Sequence, residues 1–172
     1  MRRRRNLYFA ASLLVITLTS ALFIHAQQMT PKQMDEMHKR GDKHMGFDHL
    51  KTTHHFLLAK DGGAIQVEAN AANDTESRDQ IRGHLRHITM MFSEGNFEAP
   101  MLVHEKTPPG SKVMQQLKGE ISYEFKETER GAAIQITTAN KQALQAIHEF
   151  LKFQIKEHMT GDPLEVKGSN QF

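Results

Sequence analysis

A pattern of two short strands followed by a helix occurs twice along the chain, and this recurrence limits the folds that the sequence can adopt. The stretch "HHFLLAKDGGAIQVEA" alternates apolar and polar residues on either side of a glycine-bearing turn, as a β-hairpin does. The later stretch "ISYEFKETERGAAIQITTAN" has the same form. The two stretches align at Gly62 and Gly131, and in this alignment Phe56 matches Phe125. We therefore predict an internal repeat.

Each predicted hairpin precedes a segment with the spacing of an amphipathic helix. Apolar residues recur three and four positions apart in both segments: Ile81, Leu85, Ile88 and Phe92 in the first, and Leu144, Ile147, Leu151 and Ile155 in the second. Gly95 and Gly161 follow the two segments, and glycine is a common residue at helix ends. Short apolar pieces at residues 101–103 and 164–166 come next, so the repeating unit is ββα or, with a further strand, ββαβ.

Neither predicted unit can bury its apolar surface alone, because each has one apolar helix stripe and one apolar sheet face. The sequence therefore predicts an α+β fold, a two-layer sandwich in which one antiparallel sheet has two helices on one face. The predicted halves are residues 51–106 and 119–172, and residues 107–118 form a linker with a short helix. Residues 51–166 are expected to fold as one domain.

The N-terminus has the order of a secretory signal peptide. Four arginines precede an apolar run from Leu7 to Ile24, and Ala26 provides a small residue for cleavage. Because an apolar run of this length is also at the lower limit for a membrane-spanning helix, an uncleaved anchor is the alternative. We expect residues 1–26 to be removed and the protein to be periplasmic or secreted, with the membrane as a partner only if the segment is retained.

Charge and composition exclude several classes of function. Without the four arginines of the signal, acidic residues outnumber basic ones, so nucleic acid is not expected as a partner. The chain has no cysteine, which excludes disulfides, thiolate nucleophiles and sulfur-rich zinc or iron–sulfur sites. Any metal must therefore be bound by imidazole, carboxylate or thioether groups.

A polar segment rich in histidine and methionine, residues 27–50, separates the signal from the first strand. Thr30 and Pro31 predict the start of a short helix, and Gly41 predicts its end. Its soft and borderline ligands, which suit copper, include Met37, His38, His44, Met45 and His49. Because ordering a flexible segment costs entropy, we expect residues 34–49 to bind metal only incidentally.

Five histidines of the predicted domain are candidate metal ligands: His54, His84, His87, His104 and His148. His54 lies on the strand face predicted to be under the helices, where it can approach His84 or His87. His104 lies on a strand-like segment at the sheet edge, and His148 lies on the apolar stripe of the second helix. If two or three of these imidazoles meet, they would hold zinc or copper, or would titrate as a group near neutral pH. The alternative for each is a packing histidine that is hydrogen-bonded to the backbone.

The stretches "TTHHFLLAKDGGAIQVEAN", "IRGHLRHITMMFSEGNF" and "HEFLKFQIKEHMTGDP" resemble a group of small exported bacterial proteins without established biochemistry. The similarity covers residues 46–163. Some of these proteins carry the label aspartate carbamoyltransferase. That class of enzyme is cytosolic, is about twice as long, and uses a Ser-Thr-Arg-Thr phosphate loop that this chain lacks. The resemblance therefore implies an exported single domain and no site residues.

Three hypotheses for function follow. The first is an exported binding protein that holds copper or zinc through histidines, for buffering, delivery or sensing. The second is a non-catalytic interaction or structural domain that packs against another envelope protein. The third and weakest is a hydrolase with a histidine in the groove between the repeats, since the chain has no H-E-x-x-H, no G-x-S-x-G and no phosphate-binding or dinucleotide-binding glycine motif.

Overall fold

Four antiparallel strands form one sheet in the computed structural model of this protein, which describes residues 30–166. The strands are β1 (Thr52–Ala59), β2 (Gly62–Ala69), β3 (Ile121–Glu127) and β4 (Gly131–Thr138), and their order across the sheet is β1-β2-β4-β3. The helices are α1 (Pro31–Met45), α2 (Thr75–Ser93), α3 (Glu98–His104), α4 (Ser111–Gln116) and α5 (Lys141–His158). The predicted α+β class with an antiparallel sheet is confirmed.

The strand register is symmetric about the centre of the sheet. Phe56 pairs with Ile65, and Ile65 pairs with Ile134. Ile134 pairs in turn with Phe125, so one row of apolar residues crosses all four strands. The hairpins that align in sequence therefore have matching positions in the sheet. Duplication of the unit itself stays a prediction.

Each long helix lies mainly over the hairpin that belongs to the other unit. α2 packs chiefly against β3 and β4, whereas α5 packs chiefly against β1 and β2. Both helices share one apolar core with the inward face of the sheet, which includes Ile81 and Leu85 from α2 and Ile147 and Leu151 from α5. This crossing places the C-terminal end of α5 on β1, and the candidate site lies there.

The fifth and sixth strands that the ββαβ alternative requires are not found among residues 30–166. Residues 101–103 belong to α3, in which Val103 and His104 are buried side by side while Leu102 is exposed, as a helix allows and a strand does not. No strand follows α5 in the described chain. The free edge of β1 is instead covered by Asp162, whose carboxylate accepts a hydrogen bond of 2.9 Å from the Phe56 backbone N–H. Each unit is therefore ββα.

α1 starts as predicted, but the end predicted at Gly41 is wrong. Thr30 and Gln33 form a capping box at the first turn. The helix continues to Met45 and ends at Gly46, which adopts a left-handed φ of 79°. Gly41 lies inside the helix, where it is buried and lacks the positive φ of Gly46. The segment is also fixed on the domain, since Arg40 Nε donates a 3.0 Å hydrogen bond to the Val103 carbonyl.

Replacing Asn140 with alanine is expected to lower the free energy of unfolding by about 1 kcal/mol. The Asn140 side-chain oxygen accepts hydrogen bonds from the backbone N–H groups of Gln142 (2.9 Å) and Ala143 (3.1 Å) at the start of α5. Asn140→Asp keeps the acceptor and should stay close to the wild-type stability. Urea denaturation of the three proteins, followed by circular dichroism, measures the difference, and equal midpoints would contradict the assigned cap.

The predicted signal peptide, residues 1–26, lies outside the described residues. Among residues 30–166, no helix combines the length and the apolar character needed to cross a membrane.

Candidate functional site

Five histidines from five different helices and strands line one small cavity between the sheet and the helices. The cavity has a volume of about 90 Å³. Its histidines are His44 of α1, His54 of β1, His84 of α2, His104 of α3 and His158 of α5. Most of the other lining residues are apolar, and Phe56 and Phe150 are among them. This space, which we call the histidine cavity, is large enough for an ion or a few water molecules.

His54 and His158 lie at the centre of this site. Their rings stack with centroids 5.6 Å apart and planes 13° apart. The ring of His104 meets the His158 ring edge-on at a centroid distance of 5.0 Å. Within residues 30–166, the structure shows no hydrogen bond to the ring nitrogens of His54 or His158. Their lone pairs are therefore not used by the fold.

The opposite half of the sheet, where α2 packs on β3, holds an aromatic pair at the matching place. His54 aligns with Tyr123 when the hairpins are superposed in sequence, and His158 aligns with Phe92 when the helix ends are superposed. The rings of Tyr123 and Phe92 contact each other at a centroid distance of 6.0 Å. Since two apolar-bodied rings fill this place between β3 and α2, packing alone does not explain two imidazoles between β1 and α5.

Burial favours the neutral form of His54, His84 and His158. Desolvation lowers the pKa of His54 to about 4, and repulsion from His84 adds to the shift. Desolvation also lowers the pKa of His84 to about 4, with His87 as the lesser cause. Burial lowers the pKa of His158 well below its usual value, and the proximity of His54 acts in the same direction. At neutral pH these rings are in the protonation state that metal binding requires.

His104 is held in a defined orientation by α5. Its Nε2 lies 3.0 Å from the Gln154 side-chain oxygen, and its Nδ1 lies 3.7 Å from the Glu157 carboxylate. Burial lowers the pKa of His104, while Gln154 and Glu157 act in the opposite direction. Glu157 also pairs with Lys106 at 2.8 Å, so the row of histidines approaches the surface at this end. The His104 Nδ1 atom is buried and has no hydrogen-bond partner in the described chain.

Two of the five predicted ligands lie away from the cavity. His87 is exposed on α2, because it is turned further from the sheet than His84. His148 Nε2 is 2.9 Å from the Ala59 carbonyl and 3.0 Å from the Gly62 carbonyl, so it donates to the turn between β1 and β2. The structure therefore brings together His54, His84 and His104, but not His87 or His148.

His158 and His44 are site residues that the sequence analysis did not include among the domain ligands. His158 follows Leu151 and Ile155 on the buried stripe of α5, and this spacing is the signal that could have indicated its burial. The contact of His158 with His54 was not predictable from this spacing, because the spacing does not indicate which hairpin α5 covers. His44 was placed in a flexible segment, whereas it lies on α1 beside the cavity.

A second cavity of about 250 Å³ adjoins the first and lies between α1, β1 and the end of α5. The two cavities share Met45, His54, Val103 and His158 in their walls. The second is also lined by Met37, His38 and His49, and we call it the α1 cavity. The rings of His38 and His49 stack at 4.2 Å. Residues 34–49 are thus part of the same region as the histidine cavity.

One group of three ligand-type side chains in residues 30–166 has its donor atoms within 4.8 Å of one another: Asp42, Asp48 and His49. The fold already accounts for this group. Asp42 accepts hydrogen bonds of 2.9 Å from the backbone N–H of His49 and from its ring, and Asp48 accepts from the backbone N–H of Leu50. The ring nitrogens of the histidine cavity do not come this close as a set of three, so an ion bound there would draw the rings together.

No protein-family model, no curated protein and no solved structure matches this chain. The resemblance to small exported bacterial proteins stays a prediction.

Proposed function

We propose that the protein is an exported binding protein that holds a copper or zinc ion in the histidine cavity. The observation that supports this function is the convergence of His54, His84, His104 and His158 from four different helices and strands on one small cavity with mostly apolar walls. Imidazole is a good ligand for both metals. Reversible binding at such a site would serve buffering, delivery or sensing of the metal.

The unused hydrogen-bonding capacity of the rings supports an ion as the occupant. Polar atoms that are buried without a partner cost free energy, and natural proteins rarely leave them so. Within the described chain, His104 Nδ1 is buried and has no hydrogen-bond partner. The rings of His54, His84 and His158 are partly buried and make no hydrogen bond to the described residues. A metal ion would satisfy several of these nitrogen atoms at once. The side-chain oxygen of Gln154, 3.0 Å from His104 Nε2, fits the common arrangement in which an acceptor on one ring nitrogen orients the other nitrogen toward the metal.

Binding requires a small rearrangement of the side chains. Metal–nitrogen bonds are about 2.0–2.1 Å long, and among residues 30–166 no three ring nitrogens of the histidine cavity lie within 4.8 Å of one another, so the rings must move to share one ion. Rotation of either ring about its side-chain bonds would point a nitrogen atom into the cavity. We therefore expect the thermal stability of the protein to rise when the ion binds, because the ion fixes rings from separate parts of the fold.

Untagged protein purified from the bacterial envelope is expected to contain copper or zinc near one equivalent and to show a raised melting temperature when either metal is added. The variant that tests the site combines His54→Tyr with His158→Phe. These changes copy the Tyr123 and Phe92 pair between β3 and α2, so they remove two imidazoles while retaining an aromatic ring at each position. We expect metal affinity to fall by about 100-fold or more, measured by calorimetric titration.

His87→Ala is the matched control, because His87 is exposed on the same protein and lies outside both cavities. Its metal affinity should equal that of the wild type. Absence of near-stoichiometric copper and zinc, together with no thermal shift on adding either, would rule out the proposed function. A tightly associated envelope protein in the same preparation would then favour the interaction-domain hypothesis.

A further inference from the structure

We infer that the ion is copper(I) and that α1 contributes two thioether ligands, Met37 and Met45, to the same site. This inference rests on the proposed metal-binding function. It adds the identity of the ion and gives α1 a role as the element that closes the site.

The two methionines lie on one face of α1. Met37, Gly41 and Met45 are four positions apart, so their side chains follow one another along the helix. Met37 is only 1% exposed, and Met45 is partly buried against the core. Both line the α1 cavity together with His54 and His158. Two thioethers and two neutral imidazoles therefore border one space.

The composition of α1 argues against packing as the sole reason for these methionines. Apart from the proline at its start, every large apolar side chain of this helix is a methionine, and it has no leucine, isoleucine, valine or phenylalanine. Gly41 lies in the helix interior, where glycine is unfavourable. A Cβ atom at this position would lie 3.1 Å from the terminal methyl of Met45, so the glycine leaves room for that side chain. Gly41 thus lowers the intrinsic stability of α1 but leaves space for the side chain of Met45.

The absence of charged side chains from the described cavity walls discriminates between copper(I) and the divalent ions zinc and copper(II). No Asp, Glu, Lys or Arg is among the described residues that line either cavity, and the carboxylates of Asp42 and Glu157 lie behind the rings of His49 and His104. A divalent ion with only neutral ligands would leave two positive charges in a poorly solvated space, and burial of uncompensated charge is costly. Copper(I) carries a single charge and prefers soft ligands such as thioether sulfur. An uncharged site lined by thioethers and imidazoles therefore favours copper(I) over zinc or copper(II).

The test is a titration of the whole mature protein with copper(I) under anaerobic conditions, in competition with the chromophoric chelator bicinchoninate, and a parallel titration with zinc. The wild type is expected to bind copper(I) more tightly than zinc. The double variant Met37→Leu with Met45→Leu should lose about 100-fold in copper(I) affinity while its zinc affinity changes by less than about threefold. Leucine and methionine have similar volumes, so the core should tolerate these changes.

A second pair of methionines provides the control for the substitutions. Met90 and Met101 are 54% and 39% exposed and line neither cavity. The variant Met90→Leu with Met101→Leu should therefore retain the wild-type affinity for copper(I). X-ray absorption at the copper edge of the loaded wild type gives an independent readout, and we expect both sulfur and imidazole nitrogen among the neighbours of the ion.

The outcomes separate this inference from the function on which it rests. Unchanged copper(I) affinity in the Met37 and Met45 variant, or a copper spectrum with nitrogen neighbours alone, would overturn the thioether ligands while leaving the histidine site intact. Tighter binding of zinc than of copper(I) by the wild type would overturn the choice of ion. If the wild type binds neither metal, the proposed function fails and this inference fails with it.

Discussion

Acidifying the metal-free protein from about pH 7 to about pH 4 is expected to lower its free energy of unfolding by about 3 to 6 kcal/mol. The cause is the set of neutral histidines in the histidine cavity. In the folded protein the pKa of His54 and of His84 is about 4, compared with an ordinary value of 6.5. Each shift corresponds to about 3 kcal/mol, and the range reflects mutual repulsion between the two rings, which makes their contributions non-additive.

The direction of this effect follows from proton binding. Between pH 6.5 and about 4, the unfolded chain binds protons at these histidines while the folded chain does not. Stability therefore rises with pH through this window and becomes independent of these groups above it. The pKa of His158 is lowered in the same direction by burial, so this residue adds to the loss in acid. No carboxylate lies in the described walls of the histidine cavity to offset the effect.

Urea denaturation at a series of pH values between 4 and 7, with a chelator present, measures this dependence. In the variant with His54→Tyr and His158→Phe, the free energy of unfolding should depend less on pH. This variant lacks two of the histidines whose pKa values are lowered by burial. His87→Ala should keep most of the wild-type profile, since burial is the larger cause of the low pKa of His84 and His87 is the lesser one. Equal stability of the wild type at pH 4.5 and pH 7 would show that the rings are not buried as described.

Gly131→Ala is expected to destabilise the protein by about 3 kcal/mol or more, and Gly62→Ala should have a similar effect. A Cβ atom at residue 131 would overlap the carbonyl oxygen of Val67, and one at residue 62 would overlap the carbonyl oxygen of Ile136. These oxygens belong to the two central strands, which pair directly with each other. Neither can move away without breaking the β2–β4 ladder. Gly62 also has a φ of 154°, which other residues rarely adopt.

Gly83→Ala is the matched control for these glycine substitutions. Gly83 lies in the interior of α2, and nothing lies within 4 Å of an added Cβ atom there. Alanine should therefore stabilise this helix by about 0.5–1 kcal/mol. Thermal and urea unfolding of the variants gives the comparison. A Gly131→Ala protein within about 0.5 kcal/mol of the wild type would mean that the central strands are not packed this closely.

The hairpins and the two long helices were predictable because their signals are local. Alternation along a strand decides which residues face the same way, so the position of His54 beside Phe56 on the inward face followed from sequence alone. Helical spacing identified the buried stripes of α2 and α5 in the same way. The apolar run at residues 101–103 has too few residues to show either period, so the sequence left a further strand open there, and that alternative is wrong.

The end of α1 was mispredicted for a different physical reason. Glycine ends a helix when its φ becomes positive, and Gly46 does so. Gly41 instead serves as a small residue inside the helix, beside the side chain of Met45. Sequence does not distinguish these two uses of glycine, because the second depends on a neighbour that is brought close only by folding.

The chain by itself determined the two hairpins, the two amphipathic helices and the inward position of His54, because each depends on the periodicity of a short segment. Only the tertiary structure decided which imidazoles meet. α5 lies on β1 and β2 rather than on the hairpin that precedes it, and this places His158 against His54. The same packing turns His148 to the carbonyls of the β1–β2 turn. Which hairpin a helix covers depends on how the apolar helix faces and the apolar sheet face are buried together. The sequence of a single segment does not contain this information.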